Sequence, residues 1–370
     1  MKTTQIPHSD LERLMERAIQ LARKARFQTD PNPMVGAILT TPDLTILSEG
    51  YHKKAGMPHA EVIALNPFDQ VPEDSILFVT LEPCIHYGRT PPCADLILQK
   101  KVGMVIVGSL DPHPKVTGKG VKKLKEAGVK VITGICEKKC TQLNRVFNKH
   151  IVDRIPYLSL KVASTLDGRI AMPSGKSQWI TGTEARAFGH RLRSQHQAIA
   201  VGRKTLDLDN PKLNDRISEH PRNPIRVVFS NSGNISLDSA FVLDQQTKSI
   251  VITGNRISRQ KLSALKSKGV TCLVSDSEQT SLHWALKRLY HLGICSLLVE
   301  GGAGLASGFI RENLVDEIYL FLSGKIIGSQ LAPGWSGELQ IDKLTDAPRV
   351  SFQSFRPLGE DLLIIGNFTR

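Results

Sequence analysis

The sequence predicts an α/β chain built as two layered units. Three observations predict it. Short apolar runs alternate along the chain with segments whose apolar residues recur at helical spacing. Near the middle, Pro156 interrupts a helical pattern and a new strand begins at once. The length, 370 residues, is that of about two domains.

The elements follow in order. SDLERLMERAIQLARKA opens the chain with Leu11, Leu14, Met15, Ala18, Ala22 and Ala25 on one helical face, and Ser9 with Glu12 reads as a capping box at its start. MVGAILT and TILSEGYHK, parted by Pro42 and Asp43, predict a hairpin. A helix from near His59, the strand SILFVTL, a helix from Pro92, the strand MVIVGS, the helix GVKKLKEAG and the strand VKVITGI come next. A long helix then runs to about Val152. The boundary is expected near residue 155, giving units 1–153 and 154–370.

The second unit alternates again: strand LSLKVA, helix TEARAFGHRLRSQ, strands AIAVG, IRVVFS and SIVITG, helix RQKLSALKSKG, strand TCLVS, helix LHWALKRLYHLG, strand SLLVE and helix GLASGFIRENL. DEIYLFLSGKIIG and DLLIIGNF end it as strands. No internal repeat or low-complexity tract interrupts either half.

Forty-eight Lys and Arg against 35 Asp and Glu give a formal charge of +13, which invites a nucleic-acid partner. The positive residues are dispersed apart from KKLKEAGVK (122–130) and EKK (137–139). Aromatic residues, at 5%, are too sparse for the stacking platforms that single strands need. The balance is read instead as basic surface serving an anionic small substrate, with no nucleic acid. No apolar run approaches the roughly 20 residues of a membrane span, so no membrane is expected. The start MKTTQIPHSDLERL lacks the features of a secretory signal. A soluble, cytoplasmic chain with reduced thiols is expected, which disfavours a structural disulfide.

Two thiols in PCIHYGRTPPC (83–93) therefore read as inert core residues or as metal ligands. Cys93 follows Pro91 and Pro92, which suits the first turn of a helix, where free amides lower a thiol pKa. Cys84 follows a strand directly and is expected on the loop at its carboxyl end. A catalytic zinc needs one more protein ligand and an open position. HAEVIAL supplies His59, with Glu61 two residues on. A lone histidine is usually ordinary, but HxE followed by PC and a second Cys is the signature of zinc nucleobase deaminases. There the metal activates water, and a carboxylate that is not a ligand moves the protons, the role expected of Glu61. The C-x8-C spacing departs from the C-x-x-C of that signature. It leaves a loop on which His86 and Arg89 project toward a substrate phosphate or pyrimidine edge.

LEPCIHYGRTPPCAD with HAE upstream, PNPMVGAIL (31–39), GYHKKAGMPHAE (50–61) and DPHPKVTGKG (111–120) resemble the deaminase half of the bifunctional pyrimidine deaminase/reductase family of riboflavin biosynthesis. The resemblance covers essentially the whole chain. It implies an N-terminal cytidine-deaminase-like three-layer α/β/α domain, with His59, Cys84 and Cys93 on Zn2+ and Glu61 as proton shuttle. It places Asn32, His52, His86 and Arg89 at the substrate. His113 stands where the family commonly has Asn. For GKG (118–120), a solvated helix start and a role in anion binding both stay open.

In the second half no GxGxxG stands between a strand and a helix, so a Rossmann reading fails. SLLVEGGAGLASGFI sets Gly301, Gly302 and Gly304 between a strand and a helix, either for a tight turn or to bring amides close to a phosphate. KVASTLDGRIA (161–171), SQWIT (177–181), VGRKTLDLDNPKL (201–213) and VEGG resemble the reductase half of the same family. That implies a C-terminal dihydrofolate-reductase-like α/β domain using NADPH. Ala163, Trp179, Thr205, Asp209, Gly301, Gly302, Ala303 and Gly304 are expected at the dinucleotide. Lys161, Ser177, Arg193, Leu213, Arg216 and Glu300 are expected at the substrate, where arginines suit a ribose phosphate.

Plainer readings compete: Trp179 as a core aromatic, and Arg193 as part of a solvated face with Arg186 and Arg191. Asn214 and Asp215 depart from the Thr and apolar residue that relatives often carry. Cys136, Cys140, Cys272 and Cys295 read as structural. No residue of this half is required as an acid or base, because hydride transfer can be driven by positioning. The expected activity is hydrolytic deamination of a phosphorylated diaminopyrimidine followed by NADPH reduction of its ribosyl group, in a homo-oligomer. The competing expectation is a zinc tRNA adenosine deaminase with a C-terminal RNA-binding module, which calls for C-x-x-C spacing and a basic, ring-bearing surface.

Overall fold

Alternation along the strands decides how the chain layers itself. In the computed structural model, which describes residues 6–85, 87, 91–114, 116–216 and 222–369, the chain divides into the units Met1–Arg154 and Ile155–Arg370. The first holds β1 (Gly36–Thr40), β2 (Ile46–Tyr51), β3 (Ile76–Leu81), β4 (Met104–Ser109) and β5 (Lys130–Thr133), in the order β2-β1-β3-β4-β5. β1 is antiparallel to both neighbours, as the expected hairpin requires, and β3, β4 and β5 are parallel. Along β3, Leu77, Val79 and Leu81 join a cluster with residues of α2 (Ala60–Leu65), α3 (Cys93–Gln99) and α4 (Lys119–Glu126). Ile76 and Phe78, with the opposite phase, join α1 (His8–Arg23) and α5 (Glu137–Leu143). The result is three layers, α/β/α.

Two local expectations fail. The Ser9–Glu12 capping box does not form, because α1 starts at His8 behind Pro7 and Ser9 already lies inside the first turn. Glu12 pairs instead with His8, one turn back (3.6 Å). The long helix expected to reach Val152 is two helices, α5 and α6 (Arg145–Val152), broken at the buried Asn144. Helical periodicity continues across that break, so it leaves no trace in the apolar pattern.

The second unit is a nine-stranded sheet. Its parallel strands are β6 (Tyr157–Thr165), β7 (Ala198–Gly202), β8 (Ile225–Phe229), β9 (Ser249–Thr253), β10 (Thr271–Val274), β11 (Ser296–Val299) and β12 (Glu317–Ser323). They stand in the order β10-β9-β8-β7-β11-β6-β12, and antiparallel β14 (Asp361–Thr369) and β13 (Arg349–Leu358) extend the sheet past β12. Residues of α7 (Thr183–Ser194), α8 (Arg203–Asp209), α9 (Ala240–Leu243) and α10 (Arg259–Ser267) share one apolar cluster. Residues of α11 (Leu282–His291) and α12 (Ala303–Arg311) share the other. β11 is inserted between β6 and β7, so connections leave the middle of the sheet toward both edges. Such a switch point opens a crevice at the strands' carboxyl ends.

β13 was not expected: almost all its residues are exposed, so backbone pairing to β14 holds it without a readable alternation. KIIG, expected to extend a strand, lies beyond β12.

Where β1 crosses α1, a Cβ on Gly36 would stand 2.0 Å from the Ala18 carbonyl oxygen. Gly36→Ala is expected to destabilise the first unit by about 3 kcal/mol. Chemical denaturation followed unit by unit checks this: only the first unit's midpoint should fall.

Candidate active sites

The first site is built from the starts of two helices and the end of one strand. β3 ends at Leu81 and the chain turns through Glu82 and Pro83 to Cys84; α3 begins at Cys93, and His59 is the N-cap of α2. His59 Nδ1 lies 3.2 Å from Cys93 Sγ and 3.6 Å from Cys84 Sγ. All three ligand atoms lie within 4.8 Å of one another, a grouping found once among the described residues. A tetrahedral zinc places its nitrogen and sulfur ligands about 3.6 Å apart, so this donor set fits that ion.

The Cys93 amide, first of α3, donates to Cys84 Sγ (3.3 Å). Cys84 is held as the thiolate, its pKa lowered to about 4 by the hydrogen bond from the Cys93 thiol, with His59 and the Cys93 amide adding. The proximity of Cys84 in turn pushes the Cys93 thiol up. The amide at the start of α3 thus serves the Cys84 sulfur and not that of its own residue. Glu61, 4% exposed, is pushed up to about 7, by burial first and by the Cys84 charge second.

His52 is buried, and burial pushes its pKa down, so the ring is neutral. Its Nδ1 meets the Pro58 carbonyl oxygen (3.1 Å) and must donate there. Nε2 is left as acceptor for the Asn32 amide (3.3 Å). The ring stands edge-on to His59 at 5.5 Å. Asn32 and His52 are therefore joined to each other and to the metal-ligand cluster. His86 and Arg89 lie outside the described residues.

Sequence reasoning missed Glu82. Its buried carboxylate accepts hydrogen bonds from the amides of Asp111 (3.2 Å), Gly118 (2.9 Å), Gly120 (2.8 Å) and Val121 (3.2 Å). The start of α4, left open between solvent and an external anion, is capped by the protein itself. A Cβ on Gly120 would meet the Pro83 carbonyl oxygen at 2.1 Å, so glycine lets α4 close on the loop that leads into Cys84. The signal lay in an acidic residue directly before PC and the glycines of GKG, but their pairing was invisible.

In the second unit the expected residues gather at the carboxyl ends of β6, β7 and β11. Lys161 and Ala163 lie on β6, Thr205 and Asp209 on α8 directly after β7, and Glu300 directly after β11. Arg193, from α7, grips both oxygens of Glu300 (2.8 and 2.9 Å), and Lys161 Nζ stands 3.7 Å away. Burial alone would raise the Glu300 carboxyl; Arg193 and Lys161 outweigh it and hold it at about 2. The solvated-face reading of Arg193 fails. Arg193 also donates to the Asn214 carbonyl oxygen (3.2 Å), which faces His190 as well. That contact uses backbone, so the departure at Asn214 leaves it intact. Asp215, the other departure, is buried near Arg193.

Gly302 is the N-cap of α12, whose first turn receives no side-chain cap. A Cβ on Gly304 would meet nothing within 4 Å, and one on Gly302 would meet Thr205 Oγ1 only at 3.8 Å. This open helix start at a switch point fits a dinucleotide phosphate. Trp179 is 61% exposed, with the Arg186 guanidinium 4.6 Å above its ring, so the core-aromatic reading fails. Ser177 is half-buried, Arg216 exposed, and Leu213 buried with a left-handed φ of 52°. A cavity of about 630 Å³ beside Gly182, Lys325 and Asp361 is lined by none of the expected residues. Its Lys325 donates to the Trp179 carbonyl oxygen (2.7 Å).

Comparison with known proteins follows the same division. Residues 8–109 match the cytidine and deoxycytidylate deaminase zinc-binding region, and residues 156–364 match the RibD C-terminal domain. The chain is 39% identical over 350 residues to the riboflavin biosynthesis protein RibD of Aquifex aeolicus, covering 95% of this chain and 96% of that one. Its structure is similar to that of a diaminohydroxyphosphoribosylaminopyrimidine deaminase/5-amino-6-(5-phosphoribosylamino)uracil reductase of Thermotoga maritima, with a TM-score of 0.83, 34% identity, and 98% and 99% of the two chains covered. For Acinetobacter baumannii RibD, form 1, the TM-score is 0.86 at 35% identity, over 98% of this chain and 100% of that one.

Glu82→Gln would turn an N–H₂ group toward amides that need an acceptor, at a cost of about 2 kcal/mol. The Cys84 loop is expected to loosen, lowering zinc affinity about 10-fold. Competition with a chelator measures it, and unchanged zinc retention would contradict the role given to Glu82.

Proposed function

From the premise that this chain belongs to the RibD family, we propose how its two units divide two reactions. The chain is a bifunctional enzyme of riboflavin biosynthesis, a zinc-dependent pyrimidine deaminase and an NADPH-dependent reductase. A cytidine-deaminase-like unit precedes a dihydrofolate-reductase-like one; we assign the deaminase to residues 1–153 and the reductase to 154–370. The first reaction releases the 2-amino group of 2,5-diamino-6-(5-phosphoribosylamino)pyrimidin-4-one as ammonia, and the second reduces the ribosyl side chain to ribityl.

His59, Cys84 and Cys93 hold zinc in this reading, and zinc when bound supplies Lewis-acid activation of the attacking water. Glu61 takes one proton from that water and gives it to the ring nitrogen, then takes the second from the newly added hydroxyl and gives it to the leaving amine. A pKa near 7 suits both transfers, since the group must accept and release a proton at the same pH. Asn32 and His52 orient the pyrimidine, and His86 and Arg89 are assigned to the phosphate or ring edge. The observation that carries the reading is the three-ligand cluster with a buried, non-ligating carboxyl beside it.

In the reductase, bound NADPH supplies the hydride. Ala163, Trp179, Thr205, Asp209 and Gly301, Gly302, Ala303 and Gly304 are assigned to the dinucleotide. Lys161, Ser177, Arg193, Leu213, Arg216 and Glu300 are assigned to the phosphoribosyl substrate. Glu300 keeps its charge against Arg193 and Lys161, so three side chains of long reach are fixed before substrate arrives, which is a positioning effect. The phosphate on both substrates agrees with the basic balance of +13.

The tRNA deaminase reading is not favoured, because the relatives match along the whole chain and the ligand spacing is C-x8-C. Dispersed charge and sparse rings support a partnership with small molecules and not with nucleic acid. No helix among the described residues is long and apolar enough to cross a membrane. A homo-oligomer in the cytoplasm remains our reading.

Glu61→Gln is expected to keep one zinc per chain while ammonia release falls at least about 100-fold. NADPH oxidation with the deaminated uracil phosphate supplied directly should not change. Ammonia and cofactor absorbance, followed separately, check both. Undiminished ammonia release in the variant would remove Glu61 from the mechanism, and silence of the parent enzyme in both signals would overturn the assignment.

A further inference from the structure

We propose that Asn144 is a positioning residue of the deaminase site, its buried amide clamping the backbone of Met34 and so fixing where Asn32 meets the substrate. The inference rests on the reaction proposed above. Asn144 sits at the break between α5 and α6, 2% exposed. Its Oδ1 accepts from the Met34 amide (2.8 Å) and its Nδ2 donates to the Met34 carbonyl oxygen (3.0 Å). These are the two bonds a neighbouring strand residue would exchange, supplied here by one side chain 110 residues away.

The clamp lies within the short run that carries Asn32. Asn32 donates its amide to the Thr29 carbonyl oxygen (2.8 Å), and the Val35 carbonyl oxygen accepts from the His52 amide (3.0 Å). The Gly36 amide donates to Thr80 Oγ1 (3.1 Å). Between these ties, among the described residues, Asn144 alone satisfies the Met34 backbone before β1 begins. Removing it leaves a donor and an acceptor without partners, and a loop moves to water sooner than leave them so. Asn32 is two residues away, and its amide reaches His52 Nε2 at 3.3 Å, a contact that a small shift would break. Asparagine alone among short side chains offers both a donor and an acceptor at this reach. A residue that merely ended a helix would need neither.

The test uses the full zinc-loaded chain with Asn144→Ala and Asn144→Asp; the second keeps the acceptor for the Met34 amide and loses the donor. Asn144→Ala is expected to raise the deaminase KM about 10-fold, which corresponds to about 1.4 kcal/mol. Zinc content and reductase kinetics should stay at parent values. Asn144→Asp turns an oxygen toward the Met34 carbonyl oxygen and should raise KM at least as far as Asn144→Ala, and either variant carries the test if the other does not fold. Hydrogen exchange over residues 30–36 should quicken in the variants. In combination with Asn32→Ala, Asn144→Ala should raise KM little further, because the two act on one contact. An unchanged KM, an effect fully additive with Asn32→Ala, or equal loss of both activities would overturn the proposal while the assigned reaction stands. A parent enzyme that releases no ammonia would instead remove the reaction and the role of Asn144 with it.

Discussion

Backbone amides at the start of a helix need an acceptor, and beside their candidate sites the two units differ in how they meet that need. In the first, protein anions fill it: the Glu82 carboxylate takes the amides at the start of α4, and the Cys84 thiolate takes the first amide of α3. Both acceptors lie within three residues of the end of β3. The candidate metal-ligand cluster is thus positioned by the same hydrogen bonds that close the helices against the sheet. In the second unit the start of α12 is left without a side-chain cap, with small residues around it. Filled helix starts make a rigid ligand cluster, and an open one suits a ligand phosphate.

The same logic separates two buried glutamates. Glu61 is buried beside Cys84, and burial first and that sulfur's charge second push its carboxyl up to about 7. Glu300 is mostly buried too, yet a bidentate arginine and a nearby lysine keep it charged at about 2. Environment, not residue type, raises one carboxyl and lowers the other. The charged Glu300 holds Arg193 and Lys161 in place.

Much of the fold was legible. The hairpin of β1 and β2, the parallel strands of both sheets and most helices followed the apolar pattern, because each buries one face or both against a neighbouring layer. β13 was not legible, since an exposed edge strand held by its backbone shows no alternation. Nor was the break at Asn144, where the periodicity runs on while the backbone does not. The capping box at Ser9 misled, because Pro7 set the helix start earlier than the side-chain pattern implied.

By itself the sequence determined the chemical kinds at the first site: an imidazole, two thiols and a carboxyl in HAE and PC-x8-C order, with glycines and arginines in the second half that matched a reductase. Only the tertiary structure decided which donor meets which acceptor. It paired Glu82 with α4, Asn144 with Met34, and Arg193 with Glu300, and it turned the Cys93 amide to the Cys84 sulfur. The reason is physical. Periodicity and residue type are local properties that a short window shows, whereas a buried hydrogen bond joins groups tens of residues apart, and the sheet order that brings them together is written in no single stretch of chain.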